Sequence, residues 1–277
     1  MLIAAFVAGL ALAVAHFGWV DDISRDYTET TLKRALVAFG IARGLNGVIS
    51  VAQGTEVAIQ PAGIGVNFTP GEILDPINDL IERFSWVMLT ASTSLGVQRI
   101  AIEITRSSGF TIALAVALLG VLAALWWHAH FPAWLRRALF AGTAALLVLR
   151  FAIPAVAIGS EALYTWFLAD TYEQSAQKLE ETTGSIAQIN RSTAQQATQP
   201  PADSLFESAK RLYESAAASI DIQSRIDQYK QAAAEVTEYA VNLIVVFVVQ
   251  TVLFPMLFLW GILKVLKWVL LLRLEAA

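Results

Sequence analysis

The chain has 277 residues, of which 56% are hydrophobic and only 15% charged, with a formal net charge of −4. Water-soluble domains average about 45–50% apolar and about 25% charged residues, so this composition points to lipid. The absence of cysteine excludes a disulfide-stapled module and a cysteine-based metal site or nucleophile, and the acidic balance offers no basic surface for nucleic acid.

A spanning helix needs about 20 predominantly apolar residues, because the hydrocarbon core is about 30 Å thick. Four stretches meet this: Leu2–Val20, Phe110–Trp127, Ala138–Gly159 and Ala240–Leu263, the last followed by an apolar run to Leu274. The first resembles a signal peptide in its Ala13-Val14-Ala15 site, but no Lys or Arg precedes it. The missing basic region favours an uncleaved anchor over residues 1–20.

Residues 21–109 read as a membrane-proximal helical segment. Thr30–Val51 is helical but interrupted by Gly40, Gly44 and Gly47. A short alternating run, Glu56–Gln60, leads into a loop from Pro61 to Asn67. Thr69-Pro70-Gly71-Glu72 then marks a helix start, with Thr at the cap, Pro in the first position and Glu able to close a capping box. Ile73, Ile77, Leu80, Ile81, Phe84 and Val87 line one face of that helix. Its continuation, Phe84–Gln98, is uncharged and rich in small residues. It reads as a helix packed on the bundle, or as a half-buried re-entrant segment.

Residues 110–159 form a transmembrane hairpin, and residues 160–239 a helical hairpin outside the bilayer. The steps Tyr164, Leu168, Tyr172, Leu179, Thr183, Ile186 on one arm, and Leu205, Ala209, Leu212, Ala216, Ile226, Ala233, Val236, Ala240 on the other, make a coiled-coil-like seam. Pro200 and Pro201 mark the tip, where Asp203 or Ser204 can cap the return helix. Residues 240–277 supply the fourth span and a short basic tail.

Basic residues set the orientation. Arg136 and Arg137 lie in the turn between the second and third spans, and Lys264, Lys267 and Arg273 in the tail. These two segments are assigned to the cytoplasm, with both chain termini, in a bacterial inner membrane. The opposite side then holds 7 basic and 10 acidic residues in 21–109, and 6 basic and 12 acidic in 160–239, a net −9. Arg136, Arg137, Lys264 and Lys267 are candidate contacts for lipid headgroups, with Trp126, Trp127, Trp134, Trp260 and Trp268 as interfacial anchors. Small residues at four-residue spacing (Ala5, Gly9, Ala13; Ala113, Ala117; Gly120, Ala124; Ala141, Ala145; Ala155, Gly159) offer close helix packing.

Arg150 is the one charge inside a span. An Arg at the bilayer centre costs about 2.5–3.5 kcal/mol on insertion scales, so it must face protein or water. Pro154 frees the Arg150 carbonyl, and Pro255 likewise frees that of Thr251 beside Gln250, so helix kinks are expected at both prolines. Comparable depths suggest a contact between Arg150 and Gln250, with Asn242 nearer the outer face. Arg150, Gln250, Thr251 and Asn242 thus form a candidate intramembrane polar site, which would bind an anion or be closed structurally by a carboxylate of residues 21–109 such as Glu103. Asp21-Asp22 and Glu180-Glu181 read as solvated charge pairs.

Catalytic, cofactor-binding and metal-binding motifs are absent from the sequence. There is no phosphate-cradling glycine loop with Lys, no nucleophile elbow and no zinc helix motif. His128 and His130 fall on different helix faces without a third ligand, and His16 has no partner in sequence. Asn67-Phe68-Thr69 and Asn190-Arg191-Ser192 match a common glycosylation triplet without other signs of that context. The expected fold is an all-α integral membrane protein with four transmembrane helices. The expected function is a non-enzymatic scaffold or interaction protein that binds membrane lipids, copies of itself and a periplasmic protein through its hairpin. The alternatives are an oligomeric ion channel or transporter, selective for anions, with Arg150 and Gln250 lining the pathway, and a membrane sensor acting through a partner.

Overall fold

The computed structural model describes residues 9, 13, 18–54, 57–59, 66–68, 70–127, 130–197 and 205–275. Most of the first expected span, the loop at 61–65, Thr69, His16, His128 and the prolines at 200 and 201 lie outside the described residues. In chain order the elements are α1 (Trp19–Gln53), β1 (Val57–Ile59), β2 (Val66–Phe68), α2 (Pro70–Arg106), α3 (Ser108–Trp126), α4 (Ala133–Leu163), a first π-helical turn (Tyr164–Leu168), α5 (Ala169–Ala197), α6 (Leu205–Val248), a second π-helical turn (Val249–Leu253) and α7 (Phe254–Glu275).

Among the described residues four helices are long and apolar enough to cross a membrane: Val20–Gln53, Ser108–Trp126, Ala133–Ser192 and Gln223–Lys264. The first of these was not expected from the sequence. Its charges crowd into the first half, and Arg43 is the single charge between Ala35 and Gln53. Gly40, Gly44 and Gly47 do not interrupt it, since each lies on an open side of one continuous helix.

One further expectation changes. Within the alternating run at 56–60, Val57–Ile59 is one strand of a small antiparallel pair, with Val57 opposite Phe68, Ala58 opposite Asn67 and Ile59 opposite Val66. Alternation around a Gly-containing connection favours a hairpin over an open loop. α2 runs through the segment 84–98 without a break. Phe84, Met88, Ala91, Leu95 and Ile102 form its buried stripe, at helical spacing.

The chain divides into two compact units. The first comprises Met1–Arg34, Ala91–Phe167 and Val248–Ala277. In it α3 and α4 pack through Leu114 and Leu118 against Leu146, Leu147 and Phe151. A Cβ on Gly120 would lie 3.3 Å from Leu139, so that glycine sets how closely the two helices approach. Gly159 is tighter still: a Cβ there would lie 2.7 Å from the ring of Phe254, itself stacked on Phe258. Pro255 has no N–H to reach the Thr251 carbonyl. The Phe254 N–H bonds back to the Val249 carbonyl instead, and the helix widens into the second π turn.

The second unit comprises Ala35–Thr90 and Leu168–Phe247. Tyr172, Leu179 and Ile186 of α5 and Ala233, Val236 and Ala240 of α6 are buried, as their spacing suggests. Ala38, Leu45 and Ile49 of α1 and Leu74, Ile81 and Phe84 of α2 are buried in the same unit. Each large aliphatic buried this way contributes about 1.5–3 kcal/mol. α5 is tied to both neighbours by Asn190, which donates to the Val48 carbonyl at 2.9 Å and accepts from the Tyr229 hydroxyl at 2.7 Å. Over the described residues, α5 is therefore held to α1 as well as to α6.

Tyr229→Phe removes the donor to a buried amide. We expect a loss of about 1–2 kcal/mol in detergent-solubilised protein, read by thermal or denaturant unfolding, while Gln223→Ala on the exposed face stays within about 0.5 kcal/mol of wild type.

Candidate functional site

The polar centre of the first unit starts at the N-terminus of α1. Gly18 takes φ +66°, a left-handed conformation that glycine adopts without strain. The chain turns there, and the Asp22 N–H bonds back to the Gly18 carbonyl at 3.0 Å. Asp21 and Asp22 fall in the first helical turn, where the helix dipole favours carboxylates.

Asp21 meets Arg150. Arg150 Nη1 donates to Asp21 Oδ1 and Nη2 to Oδ2, both at 2.6 Å, in a two-pronged pair between residues 129 apart in sequence. The side chains are 2% and 0% exposed. A planar guanidinium and carboxylate matched in this way supply geometric specificity as well as energy. Asp21 therefore departs from the expectation of a solvated acidic pair, while its neighbour Asp22 faces outward and pairs with Arg106 at 2.7 Å. Glu103 is not the carboxylate of Arg150, since it faces Arg25 at 3.5 Å.

Of the other sequence candidates, Gln250, Thr251 and Pro154 share the first unit with this pair. Gln250 and Thr251 are buried in the second π turn, and the Gln250 amide donates to the Tyr27 hydroxyl at 2.7 Å. Ser160 stands beside that same hydroxyl. Ser24 Oγ donates to the Val20 carbonyl at 2.6 Å and reaches the Pro154 carbonyl at 3.4 Å, so Pro154 sits inside α4 against α1. The Arg34 guanidinium lies 3.9 Å over the Tyr164 ring. Asn242 is half-buried in the second unit. Arg137, Lys264 and Lys267 are exposed and Arg136 is half-buried; Lys264 lies 4.7 Å from the Trp260 ring.

Tyr27 and Asp21 are the buried polar residues of this site that sequence reasoning did not place in it. The available signal was Arg150 itself, which demands a carboxylate, and Asp21 is the first acid after an apolar run.

In the second unit a groove of about 440 Å³ opens between α5 and α6, lined by Thr182, Ser185, Gln188, Gln228, Gln231 and Glu235, among others. Glu235 accepts from both Thr182 and Gln231 at 3.1 Å, so its carboxylate is held by the groove's own side chains. Among the described residues no three His, Asp or Glu side chains gather to hold a metal ion. Neither a family model, nor a curated protein, nor a solved structure matches this chain.

Asp21→Asn leaves the buried guanidinium uncompensated. We expect a loss of about 3–5 kcal/mol, or failure to accumulate folded protein, whereas Asp22→Asn on the exposed neighbour costs under about 1 kcal/mol by the same unfolding measurement.

Proposed function

We propose that this protein is a non-enzymatic membrane scaffold, assembled from several copies, that presents its extramembrane helices to a partner protein. The observation that carries this reading is the commitment of buried polar side chains to one another: Asp21 to Arg150, Tyr27 to Gln250 and Asn190 to Tyr229. Such pairs fix helix positions and leave the helices' outer surfaces as the feature on offer. An anion pathway lined by Arg150 and Gln250 is the weaker reading, because Asp21 neutralises the guanidinium that would attract the ion. The basic turn at Arg136 and Arg137 supports a cytoplasmic side there, with both termini cytoplasmic and the acidic segments in the periplasm of a bacterial inner membrane.

Two experiments test this. Purified protein in liposomes is expected to pass no chloride above protein-free vesicles, and a chloride flux whose anion preference is lost in Arg150→Glu would contradict the scaffold reading. Deleting residues 171–237 is expected to remove co-purifying partners and to shift the native-gel mass by more than the deleted residues account for. An unchanged assembly and an unchanged partner set would count against it.

A further inference from the structure

We propose that the first unit holds a binding site for a monovalent alkali cation, sodium, between α1, α4 and the second π turn, with oxygens of Glu161 and Thr31 at its centre. The site stands apart from the assembly reading and does not depend on it.

α1 runs parallel to α4 in a nearly constant register. Asp21 meets Arg150, Ser24 meets the Pro154 carbonyl and Arg34 meets Tyr164, at offsets of 129, 130 and 130 residues. The same offset of 130 sets Thr31 opposite Glu161. On α4, positions 150, 154, 157, 161 and 164 follow steps of four and three, so Glu161 shares the face that meets α1. The Tyr27 hydroxyl, which accepts from Gln250 at 2.7 Å, also has Thr31, Ser160 and Glu161 around it. All of these residues belong to the first unit.

Two oxygens of this layer are left over. Thr31 is 0% exposed, and its Oγ1 stands beside the Tyr27 hydroxyl outside hydrogen-bonding geometry, with no other partner among the described residues. The Oε2 of Glu161 is buried and likewise accepts no hydrogen bond among the described residues, while Oε1 accepts from the Thr165 hydroxyl at 3.5 Å. Burying a carboxylate oxygen without a donor is costly, and native proteins keep few such groups unless something binds them.

The backbone adds a third oxygen. In the second π turn the Phe254 N–H bonds to the Val249 carbonyl, and residue 255 is proline, which has no N–H. The carbonyl of Gln250 therefore lacks both its α-helical and its π-helical main-chain donor. The first π turn opens at Tyr164, three residues beyond Glu161, so the layer is flanked by two such turns. π turns occur mostly as single insertions, frequently at functional sites.

The donor set is oxygen alone: a carboxylate, hydroxyls and a freed carbonyl. Such a set suits a hard cation. Carbonyls released where membrane helices depart from α geometry are a known way of holding sodium. One carboxylate balances one positive charge, whereas a divalent ion would leave a net charge buried. The other charges of α1 are engaged elsewhere. The Arg34 guanidinium lies 3.9 Å over the Tyr164 ring. Asp22, Arg25 and Glu29 form an exposed ladder of ion pairs with Arg106, Glu103 and Arg99 of α2. A water molecule would also satisfy the leftover oxygens, but it would not discriminate among salts.

That difference is measurable. Full-length protein in detergent is melted in sodium chloride and in N-methyl-D-glucamine chloride at equal ionic strength. The wild type is expected to melt about 2–4 °C higher in saturating sodium, with a saturable dependence on its concentration. Glu161→Gln and Thr31→Val, which preserve side-chain shape, are expected to lose that difference, and Asp22→Asn on the exposed ladder to keep it. Equal melting of the wild type in the two salts, or an intact sodium response in either Glu161→Gln or Thr31→Val, overturns the proposal. Should Glu161→Gln fail to accumulate, equilibrium binding of radioactive sodium to the wild type decides: one ion per chain supports the site, and none overturns it.

Discussion

The pair between Asp21 and Arg150 is the constraint on which the first unit depends. A guanidinium among apolar helices is tolerable only when its charge is met, and breaking a buried pair from one side is far more costly than never having built it. Meeting Arg150 draws the start of α1 against the middle of α4. From there the parallel run of α1 follows, bringing Ser24 to the Pro154 carbonyl, Tyr27 to Gln250 and Arg34 to Tyr164. Asp22, one residue on, then points outward and begins the ladder to α2. Two adjacent identical residues thus do opposite work, one holding the interior and the other facing water.

Much of the architecture was legible in the sequence because it is written in periodicity. The apolar runs behind α3 and α4, the buried steps Tyr172, Leu179 and Ile186, and the helix after Pro70 are local signals that a 3.6-residue repeat carries directly. The continuity of α1 was less legible, since Gly40, Gly44 and Gly47 look like breakers until each is placed on an open face, where glycine costs a helix only about 1 kcal/mol.

The site was legible only as a need. Arg150 announced itself, and the requirement for a carboxylate followed from electrostatics. Which of the acids in residues 21–109 would supply it could not follow, because the contact joins residues 129 apart and a local pattern does not distinguish Asp21 from Asp22. Gln250 was likewise visible as a polar group in an apolar run, but its partner Tyr27 lies 223 residues away.

A double-mutant cycle on the central pair tests this account most directly. Asp21→Leu, Arg150→Met and the double variant would be unfolded in the same detergent and their free energies compared. The account predicts that each single variant is strongly destabilised and that the double variant recovers much of the loss, with a coupling of about 2–3 kcal/mol. Additivity to within about 0.5 kcal/mol would contradict it, because residues that behave independently cannot be the contact that holds α1 on α4.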